Sequence, residues 1–505
     1  MSHASFPRFA LLVVLLVLPA SALSQVHYHE GGRPWNQRAE KGPDAEVPGW
    51  YYNLGVTGLR AELVAAQPKA LLIRHVFKDT PAYGRVKVGD YIVGAGGKPF
   101  EEEHKNGYGM DKFGADGPIV EFARALEQCM GSGKKRGVLR LWVIRAGKRV
   151  KVDLPVGATY GRFSSTFPAS CKKSDRILTE LLAYLAEHQN GEGSWGSPPH
   201  DTFAPLALLA SGEKKYLPLV EKCARFHART TSAKDDSWLI NWRYMAAAIV
   251  LSEYYLATKA EWVPKELREI YEFLLSSQYT DLSQVDEKTK KDRPEDLPKT
   301  PLHAHGGWGH NPGFEGYGPI AMLTGQGALA FALMERCGVE IDRKRHDFAY
   351  EFLHRGAGAN GYVWYGDQKG GGPNDWADMG RTGAAGLAYL LSPYSDAKYL
   401  KRAKKHVDVI GEHPESFPDT HGSPVMGMGY AAAAASFDPK AFRRLMDSNR
   451  WWFVMAQCCD GSFYYQPNRD NAGYGDDSRI SASAVTAFIL SLPKKSLAIS
   501  GRRDE

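Results

Sequence analysis

From residue 175 onward, apolar residues recur at three- and four-residue spacing, and the segments that carry them come in pairs. The first members run near Asp175–Gln189, Lys214–Ala228, Pro264–Gln278, Arg343–His354, Ala397–Ile410 and Pro439–Gln457. The second members run near Asp201–Ala210, Trp238–Leu256, Pro319–Arg336, Arg381–Leu391, Pro424–Ser436 and Arg479–Leu492. First members set Lys, Arg and Glu beside an apolar stripe, as a solvated outer layer requires. Second members are rich in small residues, as in "TFAPLALLASG", "RTGAAGLAYLLSP" and "RISASAVTAFILSLP", which suits a crowded inner layer. Six pairs close a ring, so the pattern predicts an all-α (α/α)6 toroid over residues 175–493. Every outer helix leads into a loop of aromatic and glycine residues, among them "QNGEGSWG", "HGGWGHNPGFEGYG" and "CCDGSFYYQPNRDNAGYGDDS". Since all six loops make the same outer-to-inner connection, they are expected at one end of the ring.

Ahead of the ring the pattern changes to that of short strands and turns. Tyr52–Leu59 combines β-prone residues with an early glycine. Ala70–Val76 and Val88–Val93 read as strands separated by the turn Asp79–Ala82, and Gly96–Pro99 reads as a further turn. Ile119–Met130 reads as a helix, after a charged insertion from Glu101 to Asp116. The expected organisation is a multidomain chain: a small β-rich domain at 48–157, linkers at 23–47 and 158–174, the toroid, and a polar tail at 494–505. Arg8, the apolar run Phe9–Leu18, Pro19 and the small triplet Ala20–Ala22 mark residues 1–22 as a secretory signal peptide, so a secreted or periplasmic protein is expected. That run is too short to span a bilayer, which takes about 20 apolar residues.

Composition changes this picture little. A chain of 505 residues exceeds what one core supports, and 43% hydrophobic with 24% charged residues describes an ordinary folded protein. A formal charge of +6 over this length is too dilute to imply nucleic acid. The six cysteines are too few and too scattered for a disulfide scaffold and include no CxxC pair, which argues against a thiolate zinc site; adjacent Cys458 and Cys459 read as buried thiols or members of separate pairings rather than a vicinal disulfide.

The series "TPA…VGDYIV…GGKPF" resembles a PDZ domain of the kind found beside bacterial secreted proteases, over about residues 48–157. The resemblance implies peptide or protein C-termini as partners. Backbone N–H groups of Asn53, Leu54, Gly55 and Val56 would hold a terminal carboxylate, while Phe122 and Leu126 would line the side-chain pocket. The "QNGxGSWG" and "DGSF" elements resemble the repeat signatures of terpenoid cyclase and protein prenyltransferase toroids. PDZ and toroid together resemble a group of exported bacterial proteins from which no chemistry carries over.

The chemistry these families use is incomplete in this chain. Alkene protonation needs a D-x-D-D acid, and Asp375-Trp376-Ala377-Asp378 and Asp476-Asp477 have other spacings. The prenyltransferase zinc site needs a cysteine beside Asp and His, and none is so placed. Glycan chemistry is the alternative: loop aromatics Trp195, Trp308, Trp364 and Trp376 would stack on sugars, and two of Asp201, Glu315, Asp375, Asp378 and Asp477 would supply the carboxylates of glycoside hydrolysis. Of these acids, Asp375, Asp378 and Asp477 are the catalytic candidates, whereas Asp201 at the start of an inner helix also reads as a cap. His303, His305 and His310 share one loop without a defined further ligand, so no metal or cofactor is expected. Trp195, His200, Asp201, Trp308, His310, Trp376, Arg381 and His421 should approach one rim as a ligand cavity. Three functions remain: a peptide-binding protein whose toroid holds a second ligand, which is the leading reading; a glycan hydrolase or lyase working in the toroid mouth; and a terpenoid cyclase-like enzyme.

Overall fold

In a computed structural model, the described residues are 51–106, 110, 113–131, 136–231, 239–418, 424–466 and 479–502, with two short paired strands, His29–Glu30 (β1) and Arg33–Pro34 (β2). The signal-peptide segment, the linker apart from those strands, His421 and Asp477 lie outside them.

The small domain is an antiparallel sheet with one helix. Its strands are Tyr52–Asn53 (β3), Leu59–Leu63 (β4), Leu71–Val76 (β5), Tyr91–Ala95 (β6), Lys98–Pro99 (β7), Val138–Arg145 (β10) and Lys148–Pro155 (β11). They lie in the order β11-β10-β6-β5-β4-β3, with β7 on β6. The helix Pro118–Gly131 (α1) buries Ile119, Phe122 and Leu126 against the sheet. Within the charged insertion, Lys105–Asn106 (β8) and Ala115–Asp116 (β9) pair as an arm.

The toroid follows the predicted pairing closely. Outer helices are Lys172–Glu187 (α2), Leu217–Thr230 (α4), Val263–Ser277 (α6), Arg343–Arg355 (α9), Ala397–Glu412 (α11) and, broken at Asn449, Pro439–Ser448 (α13) with Arg450–Ala456 (α14). Inner helices are Pro198–Ala210 (α3), Ile240–Thr258 (α5), Ala321–Arg336 (α8), Gly380–Leu390 (α10), Pro424–Ala435 (α12) and Arg479–Ser491 (α15); a short helix, Glu287–Asp292 (α7), sits in the third loop. Inner helices touch in the cycle α3-α5-α8-α10-α12-α15-α3, so the ring closes. Small residues permit the close approach: a Cβ on Gly325 would stand 2.8 Å from Ala384, and one on Gly380 would stand 2.6 Å from Gly427. Side chains also bridge inner helices that are not neighbours. Phe203 of α3 meets Tyr430 of α12 at 5.5 Å, and Tyr430 donates to Gln326 Oε1 of α8 at 3.2 Å. None of the helices among the described residues is long and apolar enough to cross a membrane.

One local device recurs in the loops. In the first, fourth and sixth hairpins a tight turn closes by a backbone bond, Asn190 N to Ser194 O at 2.9 Å, Gly358 N to Tyr362 O at 2.8 Å and Cys458 N to Ser462 O at 2.8 Å. The next residue turns inward, and its N–H donates to a side chain early in the following inner helix: Trp195 to Asp201, Val363 to Thr382 at 3.0 Å, and Phe463 to Ser483 at 2.9 Å. Trp308 makes the same bond to Thr324 at 3.1 Å in the third hairpin. Two residues before the inward one stands a positive-φ glycine pressed on the next outer helix. Gly361 (φ 94°) faces Lys405 of α11, and Gly461 (φ 85°) of the last loop faces Glu180 of α2, which joins the end of the ring to its start.

Two expectations need correction. The segment 494–505 is not simply a polar tail, because residues 492–502 turn back and bury Leu497, Ala498 and Ile499; the N–H groups of Ala498 and Ile499 donate to Glu253 of α5 at 3.0 and 2.7 Å. The proposed carboxylate loop is closed by the toroid. Asn53, Leu54, Gly55 and Val56 are all buried, and the Asn53 amide donates to Met455 O at 2.5 Å and Gln457 O at 3.1 Å. The C-terminal end of α14, which carries partial negative charge, therefore takes the place assigned to a peptide carboxylate. Phe122 and Leu126 are buried in the core that α1 shares with α14, so they line no open pocket. Arg60 completes the junction, its guanidinium 3.9 Å from the Tyr464 ring.

Asn53→Ala should therefore destabilise the intact chain by about 1–3 kcal/mol, since two carbonyls lose a buried donor, as read by denaturant unfolding. The intact protein should bind no C-terminal peptide in a fluorescence-anisotropy titration. Stability should also fall with acid: His346 and His406 are buried as neutral rings, and burial lowers their pKa values to about 3 and about 4. The unfolded chain binds more protons below the ordinary histidine pKa of about 6.5, so stability complete above that pH should fall by about 1.4 kcal/mol per pH unit for each ring as pH drops toward 4.

Candidate functional site

The third loop is pinned to the start of α5. Asn241 N donates to His310 O at 3.1 Å, the Asn241 amide to Gly309 O at 2.9 Å, and Ile240 N to Asn311 Oδ1 at 3.2 Å. The fourth loop is pinned to the start of α8, where Ala321 N donates to Tyr365 O at 2.7 Å. These ties bring polar side chains of three consecutive hairpins into one chain across the mouth. Trp242 Nε1–H donates to His310 Nδ1 at 2.8 Å; His310 Nε2 bonds the Tyr317 hydroxyl; and Tyr317 and Tyr365 share a hydrogen bond at 3.1 Å. Beyond Tyr365 stands Arg381, its guanidinium 5.7 Å from that ring and bonded to the Tyr362 hydroxyl at 2.8 Å and to Asp378 at 3.1 Å.

The two ends of this chain differ in character. Asp378 and Arg381 are an ion pair withdrawn from water, whereas Tyr317 and Tyr365 are 42% and 38% exposed, an unusual display for large aromatic side chains. Burial lowers the pKa of His310, against an opposing pull from Glu315, so the ring is neutral at physiological pH. Arg293 approaches from the outer side, 5.9 Å from the Tyr317 ring and paired with Asp296 at 2.7 Å.

Of the residues expected at one rim, the structure unites His310 and Arg381, and it adds the catalytic candidate Asp378 as the partner of Arg381. Trp195 and Trp308 are hub residues: both indoles are buried and donate at 2.8 Å to outer-helix carbonyls, Leu185 O and Leu274 O, so neither offers a face to a ligand. Asp201 does not cap its own helix, which begins at Pro198. Its carboxylate instead ties down the Trp195 N–H and the Ser194 hydroxyl, the latter at 2.7 Å. His200 joins the first hairpin to the last, between Trp195 O at 3.1 Å and the Ser481 hydroxyl. Trp376 is sandwiched between Phe113 of the arm at 5.3 Å and His413 at 3.9 Å, and so serves domain docking. Asp375 accepts from Gly372 N at 2.7 Å and holds a glycine turn. His303 and His305 diverge from His310, the first accepting from Lys299 N at 3.1 Å and the second packing on Phe348. Among the described residues no three His, Cys, Asp or Glu side chains gather as metal ligands.

Sequence reasoning passed over Trp242, Tyr317, Tyr362 and Tyr365. The signal was present in "GYG" and "VWYGD", where a tyrosine beside glycine in a mouth loop combines an apolar face with a hydroxyl.

Several solved structures are similar to this chain at low identity. An alpha-1,6-mannanase from Salegentibacter sp. HEL1_6 is 13% identical, with 64% of this chain and 99% of that one covered and a TM-score of 0.47. A GH76 alpha-mannanase from Bacteroides thetaiotaomicron is 12% identical over 65% and 97% of the two chains, with a TM-score of 0.44. A type II terpene cyclase variant from Scytonema is 15% identical over 64% and 97%, with a TM-score of 0.41. No curated protein matches by sequence. Residues 174–501, which take in the buried C-terminal turns, match the family described as Domain of unknown function (DUF6288), and the chain belongs to that family.

Proposed function

We propose that this protein is an enzyme acting on a glycan in the mouth of the toroid. One observation carries the reading: the exposed phenol pair Tyr317–Tyr365, hydrogen-bonded at 3.1 Å and braced by His310 behind it and Arg381 beside it. Tilted tyrosine rings give a sugar both an apolar face and hydroxyl partners, and the phenols and imidazole are groups able to move protons. Asn311 and Glu315, at the outer edge of the same loop, add amide and carboxylate contacts of the kind sugar hydroxyls use. A cyclase reading draws no comparable support, since the mouth is polar and its buried acid, Asp378, faces an arginine. The peptide-binding reading gives way to this one because the proposed groove is filled from within. The N-terminal apolar run supports export, so the substrate is sought among extracellular polysaccharides.

The test is a polysaccharide panel, neutral mannans and uronate-bearing polymers included, scored by release of new reducing ends. Wild-type turnover is expected on at least one polymer, with Tyr317→Phe and Tyr365→Phe each reducing kcat/KM about 100-fold while leaving the unfolding midpoint unchanged. Full turnover in the double variant, or none by the wild type on any polymer, would sink the proposal.

A further inference from the structure

The acid-base groups at this mouth are of an unusual kind for cutting a glycan. Hydrolysis draws on two carboxylates flanking the bond. Here Asp201 is spent on the first loop, Asp375 on a glycine turn and Asp378 on Arg381. What the described mouth presents to solvent is the phenol pair, with Glu315, held by the Asn311 amide at the outer edge, as a single carboxylate rather than a flanking two. A phenol is a weak acid for a leaving group, but its ionised form is a strong base, suited to taking a proton from carbon.

The direction of hydrogen bonding singles out one phenol. An indole N–H only donates, so the Trp242 bond at 2.8 Å obliges His310 Nδ1 to accept, and the neutral ring then bears its hydrogen on Nε2. That hydrogen points at the Tyr317 oxygen. Tyr365, at 3.1 Å on the other side, can aim its own hydroxyl hydrogen at the same atom. Negative charge on the Tyr317 oxygen thus meets two donors already in place, and the Arg293 guanidinium lies 5.9 Å from the ring. The charged and titratable groups around His310 are Glu315, Tyr317, Tyr365 and, through the tyrosine, Arg293.

Building on the glycan-enzyme reading above, we infer that the substrate is a uronate-bearing glycan and that Tyr317 cleaves it by elimination, with Trp242 and His310 as positioning residues and Arg293 receiving the sugar carboxylate. Ionised Tyr317 takes the proton from the ring carbon next to the carboxylate, which acidifies it. The electron pair of that C–H bond becomes the new carbon–carbon double bond. The glycosidic oxygen leaves with the electrons of its C–O bond and receives the same proton back from Tyr317. No water, oxidant or second substrate enters the balance.

Three measurements on the full-length protein decide it. Products from uronate-bearing polymers should carry the ultraviolet absorbance of a conjugated double bond; saturated products would overturn elimination while leaving the glycan-enzyme reading standing, whereas no turnover of any polymer would remove both. Tyr317→Phe should lower kcat about 100-fold, and Arg293→Ala should raise KM with a smaller change in kcat; undiminished kcat in the tyrosine variant would overturn its role. Nitrogen-15 NMR of histidine-labelled protein, with His310 assigned by the peak lost in His310→Gln, should show the Nε2-protonated neutral ring, and Trp242→Phe should shift that tautomer balance and lower kcat about tenfold at unchanged KM. An Nδ1-protonated wild-type ring, or a tautomer indifferent to Trp242→Phe, would overturn the positioning role whatever the kinetics.

Discussion

Among the described residues the ring depends on one buried bond that recurs in the first, third, fourth and sixth hairpins: the N–H of the residue that turns inward, given to a hydroxyl or carboxylate near the start of the next inner helix. At Trp195, Trp308, Val363 and Phe463 the chain passes from the surface into the interior, where an unpaired amide would cost a few kcal/mol. Asp201, Thr324, Thr382 and Ser483 remove that cost and, in doing so, set the angle at which each loop enters its inner helix. The glycine two positions earlier lets the following outer helix close against the turn. Because Gly461 closes on α2, the device seen in the first, third, fourth and sixth hairpins also joins the last to the first.

The same device explains why the tryptophans and aspartates of the loops make poor ligand groups. A residue driven inward to serve as a hub has its ring in the core and its polar atom committed to a helix carbonyl. Among the described residues, the polar groups left for the mouth come from the third and fourth loops, beyond the turn, where Tyr317 and Tyr365 are held by backbone ties rather than by burial. Their preorganisation comes from His310, and the orientation of His310 comes from an indole that can only donate.

Helix pairing, ring closure and the outer-inner division were legible in the sequence because helical period and small-residue content are local properties. The break at Asn449, the short helix α7 and the turns at 492–502 escaped, the first hidden in a continuous apolar pattern and the last disguised by flanking lysines and arginines. In the small domain the strands at 52–63, 71–76 and 91–95 were legible in the same way, whereas the long hairpin Val138–Pro155 was not read and the strand Lys98–Pro99 was read as a turn. Which loop residues face the mouth was not, since direction there is set by tertiary hydrogen bonds without period. Trp308 and Tyr317 lie nine positions apart in one glycine-rich stretch, yet the first is wholly buried and the second 42% exposed. The groove of the small domain was misjudged for a related reason: its occupant, the end of α14, lies some 400 positions away along the chain.

That occupant gives the small domain a mechanical place in the molecule. The loop expected to hold a carboxylate on its backbone N–H groups instead meets the carbonyls at a helix terminus through the Asn53 side-chain amide, and these carbonyls too present clustered negative partial charge. By holding the end of α14, Asn53 fixes the start of the sixth loop, and the arm reaches further, clamping Trp376 of the fourth loop between Phe113 and His413. Trp376 stands two residues before Asp378, whose partner Arg381 adjoins Tyr365. Loosening the arm would therefore act on the exposed phenol pair through the loop that carries Tyr365, which is a physical reason for a ring of this kind to keep a β-rich domain folded against its rim.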